Sequence, residues 1–195
     1  MVCSPFLAQN PDDFPKRKMT IYPVDEKITI DGILDENLWK TSEKHGDFYK
    51  NQPIDGELAI QQTYVQIAYD QTNIYIAATI MDDDQYVVNT LKRDQFGDSD
   101  AFAIAIDPQN QRANGFAFGV NAMGAATEAL ILGDDGDESW DNKWWVETQN
   151  YEDHWIVELA IPLKTLRFKS DQKTWAINFI RVDPGLNEVH VWSPV

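Results

Sequence analysis

Gln62-Thr-Tyr-Val-Gln-Ile-Ala-Tyr69, then Asp70-Gln-Thr-Asn73, then Ile74-Tyr-Ile-Ala-Ala-Thr-Ile-Met81 is the stretch that decides the fold. The first segment alternates apolar and polar side chains, the period of a strand with one face buried. Asp, Gln, Thr and Asn then cluster as turn formers, and a β-branched run returns. The reading is a hairpin with a four-residue connection. Ala101-Phe-Ala-Ile-Ala-Ile106 places Phe102, Ile104 and Ile106 on one face and only alanines on the other, where a second layer is expected to press closely. Gly115-Phe-Ala-Phe-Gly-Val-Asn121 repeats the device with Phe116, Phe118 and Val120.

Working outward, further strands are expected at residues 27–30, 128–132, 144–148, 155–161, 174–182 and 188–192. Two segments read as helical. Residues 33–41 follow an Asp31-Gly32 turn and set Leu34, Leu38 and Trp39 on one stripe, and Pro162 opens a single turn to Arg167. No strand–helix–strand alternation occurs, which argues against a parallel sheet. The expected fold is all-β, an antiparallel β-sandwich with one or two short helices. It occupies residues 18–195, after a tail at 1–17 that reads as a frayed end or the remnant of a signal peptide. The apolar strand that runs to Trp192-Ser-Pro-Val195 suggests a longer natural chain.

Composition narrows the function. The 195 residues carry 16 Lys and Arg against 32 Asp and Glu, a net charge of −16. That excess repels phosphate backbones, so nucleic acid is excluded as a partner, and anionic membrane surfaces are disfavoured. No run of about 18 apolar residues is present to insert this domain into a bilayer. The single cysteine, Cys3, excludes a disulfide framework and a cysteine-rich metal site. Metal ions and neutral ligands remain.

Acidic clusters stand at strand ends: Asp82-Asp-Asp84, Asp98-Ser-Asp100, and Asp134-Asp-Gly-Asp-Glu138 with Asp141 in a loop. Calcium takes six to eight hard oxygens from such loops, and Asp82, Asp98 and Asp100 are the candidate ligands. The competing reading is a set of solvated turns. Seven tryptophans are the second signal, with Trp140, Trp144 and Trp145 crowding one loop and the strand after it. An indole stacks on the apolar face of a pyranose while nearby amides and carboxylates take its hydroxyls. Against this, tryptophans fill sandwich cores, and Trp39, Trp155 and Trp175 are assigned there. Trp144 and Trp145 are adjacent in a strand, so only one of them faces inward. The candidate sugar contacts are Trp140, Trp144, Asn121, Asp141 and Arg93. Arg93-Asp94 also reads as a plain surface ion pair.

Nothing in the chain nominates a catalytic group. His45, His154 and His190 are isolated, and no nucleophile elbow, zinc helix, P-loop or dinucleotide fingerprint occurs. The protein is read as no enzyme. Haem, which needs axial His or Met, would have Met81 and Met123 without a placed partner.

The segments Ile30-Asp-Gly-Ile-Leu-Asp-Glu-Asn-Leu-Trp39, Ala68-Tyr-Asp-Gln-Thr-Asn-Ile-Tyr-Ile-Ala77, Gly97-Asp-Ser-Asp-Ala-Phe-Ala-Ile-Ala-Ile-Asp107, Gly115–Asn121 and Trp155-Ile-Val-Glu-Leu-Ala-Ile-Pro162 occur in the order of family 9 carbohydrate-binding modules. The chain resembles that family over about residues 20–195. The resemblance implies an immunoglobulin-like or jelly-roll sandwich that holds a poly- or oligosaccharide, often with calcium. Arg93-Asp94, Arg112-Ala-Asn114, Val120-Asn121, Trp140-Asp141, Trp144 and Trp192-Ser-Pro194 are similar to a module at the N-terminus of bacterial outer-membrane β-barrel proteins. That likeness implies a secreted, periplasmic or outer-membrane-associated domain with a downstream barrel as partner. It also admits a structural or protein-interaction domain that binds no sugar. Sugar-binding members clamp a chain end between two tryptophans. One falls at Phe96-Gly97 here, the other past residue 195, and their arginine two before the asparagine is Gly119. The family's clamp therefore does not transfer, and a site here would use Trp140, Trp144 and Asn121.

Overall fold

Apolar segments build two facing sheets, one of which has its central strands buried on both faces. The computed structural model describes residues 17–194 except 84, 85, 96, 97, 112, 134 and 170, so most of the N-terminal tail lies outside the described residues. In chain order the strands are β1 (Tyr22–Pro23), β2 (Tyr49–Gln52), β3 (Thr63–Tyr69), β4 (Asn73–Met81), β5 (Ala101–Asp107) and β6 (Asn114–Asn121). They continue with β7 (Ala126–Leu132), β8 (Asp135–Asp137), β9 (Trp145–Asn150), β10 (His154–Pro162), β11 (Ala176–Asp183) and β12 (Glu188–Val191). A five-stranded sheet runs β1-β3-β4-β10-β9 and a seven-stranded sheet runs β2-β12-β11-β5-β6-β7-β8. Every pairing is antiparallel except the short β1–β3 contact. The fold is the expected all-β sandwich.

The hairpin forms where the sequence indicates, with Thr63 opposite Ile80 and Tyr69 opposite Ile74. Its turn is held by Asp70, whose Oδ1 accepts the backbone N–H groups of Thr72 (2.6 Å) and Asn73 (2.7 Å) while Tyr75 O–H donates to Oδ2 (2.8 Å). Phe102, Ile104 and Ile106 of β5 and Phe118 and Val120 of β6 meet Val65, Ile76, Ile80, Trp155, Val157 and Leu159 of the other sheet in one core. The alanine face of β5 does not receive the expected second layer. Ala103, Ala105, Ala117 and Ala129 stay half-exposed on a smooth outer surface. Gly115 is needed there because a Cβ would come within 2.7 Å of the Ile106 carbonyl oxygen.

The second layer lies instead on the outside of the five-stranded sheet. Trp39 and Ile28 cover Tyr75, Ala77 and Ala160, with Leu34, Leu38 and Ile30 around them. The helix expected over 33–41 shrinks to α1 (Asn37–Thr41) because its N-cap, Glu36, stays extended and makes no side-chain cap. Residues 27–30 form no ladder either: Thr29 N–H donates to Glu36 Oε1 (3.0 Å), and Ile28 alone is buried. What fixes this layer is Glu158, fully buried on β10. Its carboxylate accepts the backbone N–H groups of Asp31 and Gly32 (both 3.0 Å) and the Trp39 indole N–H (2.8 Å).

Other boundaries shift by a residue or two. The turn after Pro162 is a single 3-10 turn, Leu163–Thr165. The acidic stretch read as a loop supplies β8, which pairs with Leu130–Leu132 as an edge strand. β1 and β2 carry too few apolar residues to be seen in sequence. Trp39, Trp155 and Trp192 are buried, and Trp175 packs against the core from its rim. Among the described residues no helix is long and apolar enough to cross a membrane.

Candidate functional site

Strand parity separates the clustered tryptophans. Trp144 turns inward onto Phe118 (centroids 5.3 Å apart, planes at 69°), and Trp140 leans on Phe116 (5.3 Å) and Phe118 (6.0 Å). Both are partly buried. Trp145, at the start of β9, faces outward and is 44 % exposed, with the Lys143 ammonium 5.5 Å from its ring centroid.

Glu128 organises this corner. It sits on the inward face of β7, opposite Phe118, and is 2 % exposed. Trp144 Nε1–H donates to its Oε2 (3.0 Å), the Asn142 N–H to its Oε1 (3.2 Å), and the Arg93 guanidinium pairs with the same carboxylate. A buried carboxylate needs such partners, and these draw the loop before β9 onto the end of β7. Arg93 also reaches Asp141 Oδ1 (3.4 Å) and Asp94 (3.8 Å). Four of the five expected sugar contacts, Arg93, Trp140, Asp141 and Trp144, therefore come together.

Asn121 does not join them. It is 0 % exposed, its Nδ2 donates to Thr90 O (2.8 Å), and its Oδ1 accepts the N–H groups of Met123 (3.1 Å) and Ala125 (2.9 Å). Its amide shapes the β6–β7 turn and faces no solvent. Sequence reasoning missed Glu128, and of the Trp144–Trp145 pair it took Trp144 for the sugar contact although Trp145 is the outward one. The signal for Glu128 was a carboxylate at an inward position of β7, and the signal for Trp145 was its parity with Trp144.

Around the edge strand β9 runs a groove of about 280 Å³, bordered by Ile30, Arg93, Trp144, Trp145 and Glu147. It offers a half-exposed indole and both signs of charge at its rim. A larger groove of about 460 Å³ lies between α1 and β3 and presents Tyr22, Glu26, Leu38, Glu43 and His45 without a tryptophan.

The candidate metal ligands divide. Asp98 is exposed, and its backbone carbonyl accepts the Asn89 side-chain amide (2.7 Å). Asp82 and Asp100 are buried at one end of the core with Asp183, and the Arg181 guanidinium stands among them. Asp100 Oδ2 accepts the Val87 N–H (2.6 Å). Burial, with the charges of Asp82 and Asp183 beside it, pushes the Asp100 carboxyl up to about 6, against the pull of the Val87 bond and Arg181. Among the described residues no group of three or more His, Cys, Asp or Glu side chains is arranged to hold a metal ion.

The family model described as "Carbohydrate family 9 binding domain-like" matches residues 30–190. The chain belongs to that family. As a member of a family of non-catalytic binding domains it is not an enzyme. In three dimensions this family 9 domain is similar to a family 9 module from Caldicellulosiruptor kristjanssonii in complex with cellotriose, with a TM-score of 0.62, 20 % identity, and 88 % of this chain and 81 % of that one covered. A family 9 module from the same organism in complex with glucose gives a TM-score of 0.60 at 19 % identity over 88 % and 83 % of the two chains. A candidate carbohydrate-binding protein from Bacteroides uniformis gives 0.67 at 12 % identity over 91 % and 89 %. At these identities the likeness concerns the fold. No curated protein matches the sequence.

Proposed function

We propose that this family 9 domain binds an uncharged oligo- or polysaccharide, and that the sugar lies in the groove beside Trp145. The observation that carries the proposal is the outward indole of Trp145, held at the mouth of a groove beside Arg93 and Glu147. Indole burial against a sugar face supplies affinity, and the charged side chains orient hydroxyls. Family membership and the neighbours in complex with cellotriose and glucose support carbohydrate binding as such. The net charge of −16 favours a neutral ligand over an acidic one. Trp144 and Glu128 serve as scaffold: the indole N–H is spent on the carboxylate, and the pair fixes the groove wall. We place the domain at the bacterial cell envelope, beside a downstream barrel, from the likeness of its Arg93-Asp94 and Trp140-Asp141 segments to such modules.

One observation favours the rival reading of a structural domain without a ligand. Trp140 and Trp144 are engaged with core phenylalanines, and Asn121 is sealed. Electrophoresis through gels containing soluble neutral polysaccharides separates the two. Retardation of the wild type, relieved in Trp145→Ala, supports binding at the groove. Equal mobility of the two proteins in every gel leaves the structural domain.

A further inference from the structure

Two sheets have four edges, and among the described residues three of them are closed to further pairing. Residues 57–59 run along the free side of β2, where Lys50 N–H donates to Glu57 O (2.7 Å) and Ala59 N–H to Phe48 O (2.9 Å). The β1 edge is two residues long and ends in Pro23, and His45 closes more of β3 by donating its N–H to Val65 O (2.8 Å). β8 is three residues long and carries Asp135 and Asp137, the short charged kind of edge that resists pairing. β9 is different. It has six residues with one charge, Glu147, and among the described residues its main chain bonds to β10 alone. The groove beside Trp145 runs along this open side.

An open row of N–H and C=O groups is a template for another strand, and the side chains of β9 fit it to itself. Trp145, Glu147, Gln149 and Tyr151 are exposed on the outer face, while Val146, Thr148 and Asn150 turn inward. If β9 meets β9 of a second copy about a two-fold axis, two registers keep most of the strand in contact. With Glu147 on the axis, the two Glu147 carboxylates stand directly opposite each other, which destabilises the pair. With Thr148 on the axis, Thr148 faces Thr148, Glu147 faces the partner's Gln149, and Trp145 faces the partner's Tyr151. Threonine pairs and aromatic pairs are favourable across strands. Tyr151 is 44 % exposed, and its ring is stacked on His154 (centroids 4.6 Å apart), so it is held ready on that face. We propose that two copies pair through β9 with Thr148 at the two-fold axis, forming one ten-stranded sheet, and that the partner's Tyr151 completes an aromatic platform beside Trp145. The platform rests on the reading of Trp145 as the sugar-facing ring; the pairing does not.

Sedimentation of the full chain in physiological salt reads the pairing, and calorimetry with cellotriose reads the platform. The wild type is expected to sediment at twice its 22.3 kDa. Gln149→Glu sets a second carboxylate opposite each Glu147 from an exposed position, and is expected to sediment as a monomer. Adding Glu147→Lys to that variant turns the repulsion into two ion pairs and is expected to restore the dimer. A wild type that stays monomeric at every concentration would overturn the proposal, and so would a Gln149→Glu protein that stays dimeric. Tyr151→Ala is expected to keep the dimer and to bind cellotriose about fivefold more weakly. Unchanged affinity in that dimer would overturn the platform. A wild-type dimer that takes up no cellotriose would support the pairing and contradict the reading of Trp145, so the two failures are told apart.

Discussion

Glu158 shows how one side chain can organise a layer. Three N–H donors from a turn and an indole converge on a carboxylate with no access to water. Burial raises its pKa, and the bonds from Asp31, Trp39 and Gly32 oppose the rise. Glu158→Gln keeps the shape but turns one acceptor into a donor facing donors. A loss of roughly 2–3 kcal/mol in chemical denaturation is expected, from a buried donor left without its acceptor. Asp100 makes a second prediction. Its folded value of about 6 lies above its ordinary 3.8, so between those pH values the folded state holds a proton that the unfolded chain has released. Stability from this group is therefore full below about pH 4 and is lost as pH rises through 6. The groups facing it are Asp82, Asp183 and Arg181, with His190 buried beside Arg181. Denaturant titrations between pH 4 and 7 should show the wild type losing roughly 3 kcal/mol more than Asp100→Asn across that window. Parallel pH profiles for the two proteins would refute it.

Among the elements, strand parity was legible and the ends of elements were not. The β3–β4 hairpin and the inward sets of β5 and β6 follow from alternation, whereas β4 and β10 are buried on both faces beneath the Trp39 layer and read as near-continuous apolar runs. The helix expected over 33–41 is cut to Asn37–Thr41, because Glu158 holds the Asp31-Gly32 turn before it and Glu36 stays extended at its N-cap. β8 was hidden because an edge strand of Asp-Gly-Asp has no apolar face to announce it. The alanines of β5 were read correctly as a face, but no layer covers it; the tight spot on these strands is Gly115 against the Ile106 carbonyl. Gly115 is where that closeness can be measured. A Cβ would have to push the Ile106 carbonyl away, so Gly115→Ala should cost about 1–3 kcal/mol in urea unfolding, with the strand pair displaced. A neutral substitution would mean that the strands have room to part.

At the scale of the molecule, the two sheets leave one edge open between β9 and the ends of β6 and β7, and the aromatic groove lies there. The sequence pointed to this corner through its tryptophan density, and Arg93, Trp140, Asp141 and Trp144 do converge on it. It could not show that Glu128 ties Trp144 into the scaffold, since that depends on a strand pairing with Phe118. Nor could it show that Asn121 turns its amide inward to serve a turn. The central claim is that Trp145 is the sugar-facing ring, and calorimetric titration of the wild type and Trp145→Ala with cellotriose and glucose tests it most directly. The account predicts saturable binding of at least one of the two by the wild type, with affinity about tenfold lower in Trp145→Ala, the worth of one aromatic stack. Equal affinities, or no heat with either sugar, would contradict it.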